Sequence, residues 1–599
     1  MALALAACGG GGGEETSGEE AAPAEEAAPA EEAAPAEEEA PAEEEAPAEE
    51  EAPAEEEAAP AEEEAAPAEE EEMAEEEMAF EGTSVAAEDC EYGGKISSIE
   101  AVDELTVVFN MCKPDPAFLA KIAFTPFGIQ PAEWIEETGG TGELLEHPIG
   151  TGPLMVDTWN RGDSVIYKRN DNYWGDPSIA ETVVLRWNAE AAARLIELQA
   201  GTVHEITNVS PDDFETVEAD PNLQLLPYPN PNILYLAMTN TFEPFDNVDV
   251  RRAIAMGIDR QRIVDNFYAP GSEVASHFTP CSIPNGCQGE EWYEFDPEAA
   301  RQLLADAGYP DGFESTIYYR DVFRSYLPEP GLVAVDFQSQ LEENLGITID
   351  IEVMESGAFI AESQAGNLDG FYLLGWGADY PHVTNFLDYH FTEGTTQFGD
   401  ALPEVYEALL EASTIADEAT AAPLYEQANN ALKELVPMVP IVHGIAAHAA
   451  LADLNGVQQR PFGATYFHLL EPGDGSDTVV FMQNAEPISL YCADESDGES
   501  LRPCQQVVET LFDYELDSGN TRPALATVCE ANDDSTAFTC TLREGVTFHD
   551  GSHLDANDVV ASWAAGIDAA NANHVGNTGT FTYYDYLWDG LINAPEAEE

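Results

Sequence analysis

The stretch Gly375-Trp376-Gly377-Ala378-Asp379-Tyr380-Pro381 follows the apolar run Phe371-Tyr372-Leu373-Leu374 directly. A strand read over Gly370 to Leu374 ends there, and α/β ligand sites open at the carboxyl ends of strands. Trp376 would supply an apolar wall at such a site. Taken alone, Asp379 is equally the residue that a turn before Tyr380-Pro381 asks for. Signals for bond-making chemistry are missing: no Gly-x-Ser-x-Gly elbow, no His-Glu-x-x-His and no Gly-x-x-x-x-Gly-Lys loop occurs. The eleven histidines are scattered. His443 and His448, read on a helix, fall on different faces, which suits packing or surface roles better than metal ligation. The expectation is binding without catalysis, with no catalytic residue, no metal and no cofactor.

Nine cysteines include Cys8. The other eight, Cys90, Cys112, Cys281, Cys287, Cys492, Cys504, Cys529 and Cys540, fall into four local pairs rather than Cys-x-x-Cys clusters. An even set with short separations suggests disulfides in an oxidising compartment, although spacing leaves the connectivity open and free buried thiols are the alternative. Cys529 and Cys540 flank the turn signal Asn532-Asp533-Asp534, so they can face each other across a hairpin.

The elements that must position these residues form a mixture. Strands are expected over Leu105 to Met111, Ser164 to Lys168, Thr182 to Trp187 and Ile347 to Val353. Helices are expected over Glu190 to Gln199, Val250 to Ala255, Pro297 to Ala307, Leu402 to Ala416 and Ala421 to Leu435. Asp296-Pro297 is a strong helix start and Ala307-Gly308 a stop. Irregular alternation of strand and helix favours α/β lobes over a sandwich or bundle.

Charge sets further bounds. The 599 residues hold 117 acidic and 20 basic side chains, a formal net charge of -97, which repels a phosphate backbone and excludes nucleic acid as a partner. No apolar run reaches the roughly 18 residues that span a bilayer. Between Glu14 and Glu77 lie 30 of the acidic residues and no Lys or Arg, in a Glu/Ala/Pro repeat with prolines six or seven apart. Proline at that interval breaks helix and like charges repel, so a disordered stalk is expected over 9–85, with a solubilising tail as the bland alternative. The remaining acidity reads as a solvated surface suited to salt. Leu5-Ala6-Ala7-Cys8 before five glycines resembles a bacterial lipobox, with Cys8 the lipidated residue and 1–8 the remnant of a signal peptide whose start was called too late. A chance match in a cytoplasmic protein is the alternative.

Several motifs point to one family. They are Pro148-Ile149-Gly150-Thr151-Gly152-Pro153, Arg169 to Gly175 (Arg-Asn-Asp-Asn-Tyr-Trp-Gly), Asp249-Val250-Arg251-Arg252-Ala253-Ile254 and Leu542 to Gly551 (Leu-Arg-Glu-Gly-Val-Thr-Phe-His-Asp-Gly). From residue 92 onward the chain resembles the family-5 solute-binding proteins of ABC importers, the oligopeptide, dipeptide and nickel class. The resemblance implies a two-lobed, periplasmic-binding-protein-like α/β fold (class C, type II) with an extra domain. It also implies a change of order: the segment resembling Val479 to Trp588 stands first in the family and last here. This is the order of a circular permutation, bridged at 471–477; an assembly artefact or a swap between chains are the competing accounts. The implied domains are 86–147 and 511–599 for the two halves of the extra domain, 148–240 and 441–510 for lobe I, and 241–440 for lobe II.

In peptide-binding members the Asp matching Asp379 pairs with the ligand's amino group, while the backbone at Gly375 and Gly377 runs along the ligand like an added strand. Tyr380 belongs to the same stretch, and Glu495 to Gly498 corresponds to a segment lining the cleft. His382 and Val383 depart from the pattern of peptide binders. The expected function is capture of a small solute, foremost an oligopeptide or dipeptide, and delivery to an ABC permease. The protein would be a monomer outside the cytoplasm, held to the membrane by its lipid alone. Sugar or nickel-complex cargo, and a surface sensor without a permease, are the alternatives; an enzyme is a distant third.

Overall fold

Strand Thr106–Met111 alternates buried and half-buried residues, the pattern of a sheet with one covered face. In the computed structural model, which describes residues 80–595 except Ala416, Ala464 and Asp517, its neighbour on one side is Ile96–Asp103, close in sequence. On the other side lies Ala537–Leu542, from the far end of the chain. With Ser84–Ala86 and Ala526–Ala531 these make a five-stranded antiparallel sheet. Phe109 stands opposite Phe538. Helix Ala556–Ile567, started by a capping box of Asp555 and Asp558, lays Trp563 against Phe109 and Phe127 at ring distances of 5.0 Å. The lipobox-like segment, and most of the residues expected to form the stalk, lie outside the described residues.

A second, six-stranded sheet runs in the order Glu273–Val274, Met438–His443, Asn232–Met238, Phe371–Gly377, Glu314–Arg320, Thr348–Met354. Asn232–Met238 is buried along its whole length, and Phe371–Gly377 for its first five residues, as central strands covered by helices on both faces must be. The third sheet has seven strands, in the order Leu154–Asn160, Ser164–Arg169, Thr182–Trp187, Thr478–Gln483, Glu205–Ile206, Ile445–Leu451, Leu223–Pro229.

The chain passes between these two sheets twice, after Pro229 and at Gly444. That is earlier than 240 on the way out and later than 440 on the way back. Asn232, fully buried, joins the two passages: its side chain donates to the Gly444 carbonyl and accepts from the Gly444 N–H, both at 2.8 Å. Such a two-way bond satisfies a buried amide and ties the two adjacent passages together.

The expected strands form within a residue or two, except that the strand over Gly370 to Leu374 continues to Gly377. Asp296 caps its helix by accepting from Ala299 N–H at 3.0 Å. The helix expected to reach residue 416 stops at Ala412. His443 and His448 lie on strands, not on a helix, so the helical face argument does not apply to them; His448 pairs with buried Glu205 at 2.9 Å. The four cysteine pairs are local disulfides: Cys90–Cys112, Cys281–Cys287, Cys492–Cys504 and Cys529–Cys540, the last across adjacent strands. Among the described residues no helix is long and apolar enough to cross a membrane.

Candidate ligand-binding site

Strands Phe371–Gly377 and Glu314–Arg320 run parallel, with Ile317 level with Phe371, so both end on the same edge of the second sheet. A cavity of about 310 Å³ opens at that edge, the size range of small-ligand sites. Gly375, Trp376 and Gly377 line it from one strand and Asp379 from just past its end, with Arg320 at the end of the other strand and Arg324 on the loop after it. Tyr583, from helix Thr582–Leu587 near the end of the chain, closes it from the far side.

Asp379 is fixed by Asn385, which is fully buried on helix Thr384–Phe391. The Asn385 side chain donates to Asp379 Oδ2 at 3.1 Å and accepts from the Asp379 N–H at 3.0 Å and from Trp376 Nε1 at 3.1 Å. Tyr583 donates to Asp379 Oδ1 at 3.2 Å. These donors are all neutral, and burial outweighs them, pushing the carboxyl up to about 6. A carboxylate in that state gains most from a cation. Trp376 stacks on Tyr389 at 4.2 Å, with Tyr586 edge-on to both, which gives the site an apolar aromatic side.

Arg320 donates to Ser356 Oγ at 3.0 Å and lies 3.5 Å from the Tyr326 hydroxyl; Arg324 donates to the carbonyl of Phe323 at 2.9 Å. Neither enters an ion pair among the described residues. Both guanidinium groups therefore line the cavity with only neutral acceptors from the protein. His390, nearly fully buried behind the cavity, donates through Nδ1 to the Phe386 carbonyl and is held neutral by burial, which lowers it to about 3.

The two glycines differ. A side chain at Gly375 would strike the Ile233 carbonyl and the Tyr326 ring at 2.3 and 2.4 Å, so glycine is required there by packing, not by a ligand. At Gly377 nothing lies within 4 Å, and the backbone faces open space. Tyr380 is buried away from the cavity, with its hydroxyl beside Thr384 and the buried Lys121 near its ring. Glu495 and Gly498 are not in the lining either. Their neighbour Asp494 accepts the N–H groups of Gly579, Thr580 and Phe581 at 2.9, 3.1 and 2.8 Å, and so anchors the loop that presents Tyr583. Glu495 accepts from Asn577 in the same loop at 3.2 Å, and burial raises it to about 7.

Arg320, Arg324, Asn385 and Tyr583 escaped the sequence reading. Two arginines close together in a Lys/Arg-poor chain, just after a strand, were the available signal for the first pair; Tyr583 carried none. A second cavity, of about 330 Å³, is bordered by Tyr173, Trp174 and Glu509. Its arginine, Arg522, is already paired with Asp513 at 2.7 Å, so that cavity offers no uncommitted cation.

A family model for bacterial extracellular solute-binding proteins, family 5, matches residues 65–398 and 520–590. The chain belongs to this family. Family 5 proteins bind solutes outside the cytoplasm and are not enzymes. The chain is 30% identical over 392 residues to di/tripeptide-binding protein 1 of Pseudomonas aeruginosa, covering 63% of this chain and 72% of that one. Among solved structures it resembles a dipeptide-binding protein of Pseudoalteromonas in complex with Met-Leu, with 26% identity, TM-score 0.55 and coverage of 63% and 76%. It also resembles a periplasmic binding protein of Helicobacter pylori in complex with the peptide STSA, with 25% identity, TM-score 0.54 and coverage of 63% and 74%. The two-lobed α/β fold expected from sequence is therefore that of periplasmic binding proteins.

Proposed function

We propose that this family 5 protein captures a short peptide in the Asp379 cavity and delivers it to an ABC permease. The observation that carries the reading is the presence of both signs of charge in one cavity, neither committed to a partner of opposite charge. A half-buried carboxylate with only neutral donors stands past one strand end, and two arginines without ion pairs stand at and after the end of the next. A peptide is a zwitterion with a cationic amine at one end and a carboxylate at the other. The open backbone at Gly377 suits an extended main chain, and Trp376 with Tyr389 suits an apolar side chain. Relatives named for di- and tripeptides support the same class.

The reading extends to the whole chain. Lipidation at Cys8 and the acidic stalk would tether the binding domain at the membrane. The segment order is that of a permuted family member, supported by the pairing of Ala537–Leu542 with Thr106–Met111. The test is thermal melting with a panel of di- and tripeptides at millimolar concentration. Ligand at a hundred times Kd adds about 2.7 kcal/mol, a readily measured rise in Tm. No rise with any short peptide would remove the peptide assignment.

A further inference from the structure

This inference deepens the peptide reading and rests on it. We propose that the cavity selects peptides carrying an acidic side chain, with one of Arg320 and Arg324 taking the main-chain carboxylate and the other the side-chain carboxylate.

Among the described residues the lining carries one carboxylate, Asp379, and two guanidinium groups. His390 is neutral, and burial keeps the Tyr583 hydroxyl protonated. A peptide with apolar side chains brings one positive and one negative group. It pairs with Asp379 and one arginine and leaves the other to neutral acceptors and solvent. A peptide with one Asp or Glu side chain brings one positive and two negative groups and closes the balance. The chain as a whole carries a net charge of -97 and repels anions, so an anionic ligand must be held by local cations. Planar guanidinium groups are suited to that task, since each can grip a carboxylate with two parallel donors. Arg320 is braced on its strand by Ser356, while Arg324 is exposed on the loop that follows. The two therefore differ in exposure, Arg320 half-buried and Arg324 open to solvent.

The experiment measures Kd by calorimetry for Ala-Ala, Ala-Gln and Ala-Glu with the unaltered protein and with R320Q and R324Q. Ala-Gln matches Ala-Glu in size and lacks the charge. The expected result is that Ala-Glu binds the unaltered protein at least about tenfold more tightly than Ala-Gln. At least one of the two variants should bring that ratio close to one. Equal or weaker binding of Ala-Glu, with Ala-Ala and Ala-Gln still bound, overturns the acidic selectivity and leaves the peptide reading standing. Failure of all three to bind overturns the acidic selectivity, and failure of the whole di- and tripeptide panel overturns the peptide reading with it.

Discussion

Asp379 is where burial and function oppose each other. A half-buried carboxylate held only by neutral donors from Asn385 and Tyr583 is costly when ionised, and burial pushes it up to about 6. A peptide amine, with a pKa near ~8, offsets it by supplying the missing positive charge. Affinity should therefore be highest between about pH 6 and 8. Below that window Asp379 is protonated, and above it the amine is neutral, so Kd rises on both sides; calorimetry across pH 4.5–9 reads the bell. D379N should weaken dipeptide binding by about 10- to 100-fold and remove the acidic limb of the profile. An unchanged acidic limb in D379N would assign the titration to another group.

At the scale of elements, a loop outside the cavity lining holds one of its walls. Asp494, nearly buried, accepts the N–H groups of Gly579, Thr580 and Phe581 as well as the Thr578 hydroxyl, and Tyr583 follows two residues later. Replacing it removes a charged acceptor and leaves several inward-facing N–H groups without a partner. D494A should cost at least about 3 kcal/mol in chemical denaturation and weaken peptide binding even though Asp494 touches no part of the cavity. Full stability of D494A would mean that the loop is held by its other contacts. Asn385 acts similarly from helix Thr384–Phe391, fixing Asp379 and Trp376 through one side chain.

The whole molecule brings distant parts of the sequence together. Asn593 donates to the Ala86 carbonyl at 3.1 Å, and Thr83 N–H donates to Asn557 at 2.8 Å, so the two ends of the described chain lie side by side. The turn at 471–477 is exposed for most of its length. Closing the first gap with a short Gly/Ser linker and opening the chain within 471–477 leaves every sheet intact. The rearranged protein should fold, with a Tm within a few degrees of the original and dipeptide binding preserved. Loss of folding would show that the present order is itself needed.

Local signals in the sequence already determined much of this. Alternating or continuous apolar runs gave the strands, Asp296-Pro297 gave a helix start, and cysteine spacing gave pairs that do form. These features depend on neighbours a few residues away, and Asp379 with Trp376 could be singled out because strand end and turn lie within one heptapeptide. The partners of Asp379 could not. Tyr583 reaches it across the fold, and the arginines arrive by the end of a parallel strand and the loop after it, whose register no local pattern encodes. Only the tertiary structure decided that Gly375 serves packing, that Tyr380 turns inward and that Glu495 supports a loop. Each depends on atoms brought close by folding, and the energy of such contacts is set by distance in space, not by separation along the chain.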